Sequence, residues 1–154
     1  ECCMVEIKNI FLEKQSKLLV VGLYRNPITK NEPEFLKSME VLLEHVDKRY
    51  KHILIAGDIN IDMMGQSNSA LKLNNLLVSN GMCSLVKFPT RITESSATFI
   101  DNIFTNINMN FIKLIGINTQ LSDHDGQFLA LLHTPIKHKS KITVHPNESI
   151  QMYT

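Results

Sequence analysis

The sequence predicts an α/β layered domain, and three observations carry that expectation. Short apolar runs alternate with two stretches of helical period, and a series of further short strands follows. Each polar cluster with chemical potential falls where a predicted strand ends, which is where open α/β sheets place their sites.

Residues Cys2–Ile7 and Lys17–Tyr24 read as two strands joined by a polar turn near Glu13–Ser16. From Leu18 to Tyr24 the residues are apolar without strict alternation, so both faces of this strand should be buried. Arg25-Asn26-Pro27 then breaks it, because a proline disfavours helix at the residue before it. Phe35, Leu36, Met39, Leu42, Leu43 and Val46 form one helical stripe, predicting a helix from Glu32 to Tyr50 with Pro33 in its first turn. Ile53–Gly57 is a short strand. A second helix is expected over Ser69–Ser79, with Leu73, Leu76 and Leu77 inward and Gly81 just past its end. Strands are expected at Cys83–Val86, Thr98–Thr105, Phe111–Thr119 and Gln127–His133. Beyond Pro135 the chain is polar and basic (Lys137, His138, Lys139, Lys141) and has no period. The expected organisation is therefore one domain over residues 1–134 and a linker or tail over 135–154.

Composition narrows the function less. Sixteen Lys and Arg against fifteen Asp and Glu give a net charge of +1, so no global basic field announces a nucleic-acid binder. Cys2, Cys3 and Cys83 fit neither a disulfide framework nor a zinc spacing, and read as reduced thiols. No apolar run approaches the ~20 residues that span a bilayer, and the first residues do not have the pattern of a secretory leader. The expectation is an intracellular protein, nuclear or cytoplasmic, with no membrane partner. The chain starts at Glu1 against a strand-like segment, which reads as an internal start and a missing N-terminal portion.

Three clusters could do chemistry. In Gly57-Asp58-Ile59-Asn60-Ile61-Asp62, Asp58 and Asn60 would point the same way if strand geometry continued for two residues. A carboxylate beside a carboxamide can hold a water and a phosphoryl oxygen, although Asp and Asn after a strand more often form turns. Ser122-Asp123-His124-Asp125 offers an acidic ligand and a protonatable imidazole from one loop, or a plain surface turn. Thr98-Phe99-Ile100-Asp101-Asn102-Ile103-Phe104 sets an acid inside an apolar strand, which is costly unless a histidine, Arg91 or a backbone turn pairs with it.

Taken together and in this order, the clusters resemble the second half of the endonuclease/exonuclease/phosphatase superfamily. The likeness is nearest to the endonuclease domains of non-LTR (LINE-type) retrotransposons. The stretches that carry it are Val21–Pro27, Ile55–Asp62, Phe88–Thr93 with Ser96–Asn106, and Leu121–His124. The middle block, with Ser96-Ala97-Thr98, points to the retrotransposon branch.

The resemblance implies part of a four-layer α/β/β/α sandwich with mixed, largely antiparallel sheets. It also implies Mg²⁺- or Mn²⁺-dependent cleavage of a DNA phosphodiester. Under it, Asp58 positions or deprotonates the attacking water, Asn60 stabilises the phosphoryl oxygens, and Tyr24 contacts the phosphate. His124 meets the scissile phosphate and Asp101 orients it, while Asp123 belongs to the metal environment. Arg25, Arg91 and Thr98 would lie against DNA, and a reverse transcriptase domain would share the parent polypeptide.

Two departures stand out. Ile59 replaces the usual aromatic, and Asn26 interrupts the usual tyrosine-arginine-proline run. Nothing before Tyr24 matches the early asparagine or the metal-binding glutamate of the family's N-terminal half. Weak or no catalysis by this chain alone is therefore expected. An inactive relict that binds DNA or protein, and a small-phosphoester phosphatase, are the competing readings.

Overall fold

A computed structural model of the chain describes residues 1–8, 17–27, 32–47, 49–133 and 151–153. The strands are β1 (Cys2–Lys8), β2 (Lys17–Tyr24), β3 (His52–Asp58), β4 (Cys83–Ser84), β5 (Arg91–Ile92), β6 (Ala97–Thr98), β7 (Asp101–Thr105), β8 (Ile112–Asn118), β9 (Gly126–Leu131) and β10 (Gln151–Tyr153). Two helices, α1 (Glu32–Asp47) and α2 (Asn68–Ser79), follow β2 and β3.

The main sheet has the order β1-β2-β3-β7-β4. Only the β2–β3 pair is parallel, and α1 supplies the crossover between them. The other pairs, β1–β2, β3–β7 and β4–β7, are antiparallel, so the sheet is mixed and mostly antiparallel as expected.

Side chains alternate between the two faces of this sheet, and each face has its own core. Leu19 and Val21 of β2, Ile53 and Ile55 of β3 and Phe104 of β7 pack against α1 and α2 through Met39, Leu43, Val46, Leu73 and Leu77. Leu18, Leu54 and Ile103 face the other way and meet Ile112, Leu114, Leu129 and Leu131 of the β10-β8-β9 sheet. Burying each such side chain contributes roughly 1.5–3 kcal/mol. Helices, main sheet and second sheet are thus three stacked layers; a second outer helical layer has no counterpart among the described residues.

Helix ends follow local chemistry. Glu32 and Glu34 lie in the first turn of α1, where the helix dipole favours acids. The helix stops at Asp47 rather than Tyr50, in a turn where the amides of Arg49 and Tyr50 both donate to the Val46 carbonyl. For α2 the Ser67 side chain accepts the Ala70 amide as N-cap. At its far end Met82 N–H returns to Leu77 and Gly81 N–H to Val78, the pattern that closes a helix on a left-handed glycine.

One expected element is divided. The single strand predicted over Thr98–Thr105 is two strands in different sheets, with Asp101 at the mouth of the second. Ala97–Thr98 pairs with β5, whereas the Phe99 and Asp101 amides go to the side chains of Asp62 and Thr90. Side-chain acceptors thus interrupt the ladder at this point.

Gln151–Tyr153, within the stretch expected as a tail, pairs with β8. Residues 134–150, with Lys137, His138, Lys139 and Lys141, lie outside the described residues, as does the turn expected at Glu13–Ser16. Among the described residues, no helix is long and apolar enough to cross a membrane.

Two glycines with positive φ separate backbone conformation from crowding. A Cβ on Gly57 (φ 151) would stand 1.8 Å from the Leu23 carbonyl oxygen, whereas one on Gly81 (φ 66) would meet nothing within 4 Å. Gly81→Ala should therefore cost about 1 kcal/mol, the strain of a left-handed residue alone. Gly57→Ala should cost more than ~2 kcal/mol, because β2 and β3 must also part. Urea unfolding of both variants checks this, and equal midpoints would contradict the close approach at Gly57.

Candidate active site

The sheet register aligns the site. Tyr24 on β2 is the partner of Asp58 on β3, and Asp58 is the partner of Asp101 on β7. Three residues more than thirty positions apart in sequence therefore stand in one row across three strands.

Beyond Asp58 the chain turns sharply. The Asp58 Oδ1 accepts the Asn60 amide at 2.9 Å, and Asn60 takes a left-handed φ of 49°. Strand geometry therefore does not continue to Asn60, and the expected period-two pairing of Asp58 with Asn60 gives way to a turn closed by the Asp58 side chain. Asn60 Nδ2 donates to the Arg25 carbonyl at 2.7 Å. In return, the Arg25 guanidinium donates to the carbonyls of Ile59 and Asn60, each at 2.7 Å. Arg25, expected against DNA, is only 8% exposed and locks the Asp58–Asn60 turn onto the end of β2. Tyr24 is exposed beside it.

Asp101 is held from several sides. Its amide donates to the Thr90 hydroxyl at 3.0 Å, and its carbonyl accepts from Gln127 Nε2 at 3.1 Å. Asp62 accepts the Phe99 amide at 2.9 Å, and the Asn102 side chain donates to the Phe99 carbonyl at 3.0 Å. His124 lies in the β8–β9 loop, where the Ser122 hydroxyl accepts its amide. The His124 Nδ1 sits 3.0 Å from Asp101 Oδ2, so the histidine supplies the partner that the acid on β7 was expected to need.

Asp58, Asp101 and His124 each offer a ligand atom, and these atoms lie within 4.8 Å of one another. Asp58 and Asp101 border a cleft of about 260 Å³ that Asp125 and Gln127 also line. A larger groove of about 680 Å³ lies between β1, β2 and α1; apolar side chains such as Leu23, Phe35, Met39 and Leu42 line much of it, and the carboxylate–imidazole cluster lies elsewhere. Burial raises the Asp58 carboxyl above the ordinary carboxylate range, and the negative Asp101 adds to this. The Asn60 amide and His124 oppose the rise.

The remaining expected site residues stand apart from this cluster. Asp123, expected near the metal, is in an exposed ion pair with Arg91 Nε at 2.6 Å, and that pairing lowers its pKa. Arg91, expected on DNA, is thus engaged with Asp123, though solvent screens such a pair and lets it open readily. Thr98 is in β6, with its carbonyl accepting the Thr90 amide at 2.9 Å. Thr90, Asp62, Asn102 and Gln127 were not expected as site residues. Their roles arise from contacts eleven or more positions away in the case of Thr90, Asp62 and Gln127, which no local pattern announces.

The donor set suits a divalent cation. Two carboxylates converge with an imidazole, and hard ions such as Mg²⁺ and Mn²⁺ favour oxygen ligands.

Comparisons with known proteins place the chain. A family model described as endonuclease-reverse transcriptase matches residues 18–128. Among solved structures, the endonuclease domain of TRAS1, a telomere-specific non-LTR retrotransposon, aligns at 19% identity and a TM-score of 0.66, covering 84% of this chain and 63% of its own. A 3′-5′ exonuclease from Neisseria meningitidis aligns at 14% identity and a TM-score of 0.59, covering 75% and 61%. A mannosyl-6-phosphatase from Bacteroides thetaiotaomicron aligns at 17% and 0.54, covering 85% and 56%. The chain thus spans less than two thirds of each of these relatives, and at such identities the likeness is one of fold. No curated protein matches. With the family model covering most of the sequence and the fold agreeing, the chain belongs to the endonuclease–reverse transcriptase family of the endonuclease/exonuclease/phosphatase superfamily.

Proposed function

We propose that this chain carries the phosphodiester-cleaving residues of a metal-dependent, DNA-nicking domain. The observation that carries the reading is the convergence of Asp58, Asp101 and His124 at one end of the sheet. Family membership and the fold likeness to a retrotransposon endonuclease support DNA as the substrate. The same support favours a reverse transcriptase domain as the companion in the parent polypeptide, working in the nucleus or cytoplasm.

Asp58 accepts the proton of the attacking water, for which a carboxylate with a raised pKa is a better base than an ordinary one. As an imidazolium, His124 donates its Nδ1–H to Asp101, which fixes the ring, and its Nε2–H to a phosphoryl oxygen. Tyr24 and the second Nδ2 proton of Asn60 hold the remaining phosphate oxygens. The water oxygen bonds to phosphorus, the bond to the 3′ oxygen breaks, and that oxygen takes a proton from solvent, which leaves a free 3′-OH for a polymerase to extend. A Mg²⁺ or Mn²⁺ ion held by Asp58 and Asp101 would neutralise charge on the phosphoryl and leaving oxygens. Such ions commonly keep several waters beside one or two carboxylates, and the slow catalysis proposed for this chain alone rests on the stretch before Tyr24, which does not match the family's metal-binding glutamate motif.

Supercoiled plasmid incubated with the chain should be nicked slowly in Mg²⁺ or Mn²⁺ and not in EDTA. Asp58→Ala and His124→Ala should each lower the rate by at least 100-fold, the usual scale for losing an acid-base or oxyanion-stabilising group. A folded sample that nicks no faster than its variants would instead be a binding fragment. Hydrolysis of small phosphoesters without nicking would favour the phosphatase reading.

The raised pKa of Asp58 has a sign that can be checked. Because its folded value lies above the unfolded one, ionisation opposes folding once the pH exceeds both, and costs nothing below both. Asp58→Asn should therefore raise the melting temperature at neutral pH, and the gain should vanish on acidification below the ordinary carboxylate range. Thermal melts of the metal-free chain across pH test this. A gain that grew towards acid pH would mean that the Asp58 pKa is depressed instead.

A further inference from the structure

We propose that Thr90 is a positioning residue that sets the spacing of the Asp101–His124 pair. The inference rests on the hydrolytic reading of that pair given above. Thr90 is fully buried and outside the cluster that would touch substrate. It nevertheless reaches both halves of the pair. Its hydroxyl oxygen accepts the Asp101 amide at 3.0 Å, and its carbonyl accepts the amide of Asp125, next to His124, at 2.7 Å. Its own amide donates to the Thr98 carbonyl at 2.9 Å, which ties it to β6.

Thr90 joins two elements that belong to different sheets. Asp101 opens a strand of the main sheet, whereas His124 lies in the loop that connects two strands of the second sheet. Thr90 bridges the sheets one residue before Arg91, which itself forms a β-bridge with His124. A hydroxyl at 90 thus fixes the acid while the adjoining backbone fixes the histidine. Pair geometry within a few tenths of an ångström matters to proton transfer and to phosphate contact, so a residue that touches neither reactant can still govern rate.

Thr90→Val keeps the branched shape and removes the acceptor, whereas Thr90→Ser keeps the acceptor and removes a methyl group. The positioning role predicts that Thr90→Val lowers kcat for plasmid nicking at least 10-fold, with KM within twofold, measured well below its unfolding temperature. Thr90→Ser should retain most of the rate. A purely packing role predicts the reverse order, with the serine variant the poorer, and would overturn the proposal. Crystal structures of the variants read the same question without catalysis. The Asp101–His124 separation, 3.0 Å here, should open beyond hydrogen-bond reach in Thr90→Val and stay closed in Thr90→Ser. An unchanged separation in Thr90→Val overturns the proposal. If the unaltered chain does not nick at all, the hydrolytic reading fails, and the separation still decides whether Thr90 sets the pair.

Discussion

The register across β2, β3 and β7 is the constraint on which the site depends. A slip of one residue between any two of these strands would turn Asp58 or Asp101 to the opposite face and into one of the two cores. Register is fixed by the alternating burial of Leu18 to Val21 and Ile53 to Ile55, whose side chains fill both cores. Gly57 tightens it further, since its missing side chain lets the Leu23 carbonyl approach just before Asp58. The apolar residues that give the chain its stability are therefore also what aligns Tyr24, Asp58 and Asp101. Stability and site geometry share one cause here.

The loops then refine what the register begins. Arg25 and Asn60 exchange hydrogen bonds across the ends of β2 and β3, so the turn after Asp58 is closed by groups that the sequence places thirty-five residues apart. Asp62 and Thr90 take the Phe99 and Asp101 amides, which holds the mouth of β7 open toward the cleft instead of letting the strand continue into β6. Buried hydrogen bonds to side chains are directional, and several converging on one short segment leave it few alternative conformations. This is why a carboxylate can stand at the start of a strand rather than be lost in a flexible loop.

Much of the fold was legible in the sequence, because it rests on periodicity. The helical stripe from Phe35 to Val46 and the buried run from Leu18 to Val21 announce themselves by pattern. Asp58, Asp101 and His124 were legible as candidates for a different reason, since each is a titratable residue beside an apolar strand. The division of Thr98–Thr105 was not legible, because its cause lies in Asp62 and Thr90 rather than in the segment itself. The partners of Arg25 were not legible for a similar reason. They are carbonyls thirty-four and thirty-five positions away. Asp123 likewise shows a carboxylate of the expected type whose actual partner, Arg91, was known only once the two segments were brought together.

The electrostatics of the cluster give a reason for a cation that does not depend on any relative. Two carboxylates with oxygens within 4.8 Å of each other repel, and burial raises the energy of the charged form of Asp58 further. The guanidinium groups of Arg25 and Arg91 are committed elsewhere, Arg25 to the Ile59 and Asn60 carbonyls and Arg91 to Asp123. His124 offsets part of the charge but is shared with Asp101 through its Nδ1. A protein that needed these acids only for structure could relieve the repulsion with an amide at either position, since an Asn oxygen would still accept from the Asn60 amide at position 58 and from the His124 Nδ1 at position 101. Keeping both as acids makes sense if something positive arrives from solution, whether a metal ion, a proton taken from water, or both in turn. With Asp58 ionised the empty cleft carries this cost, and a bound cation or proton would relieve it.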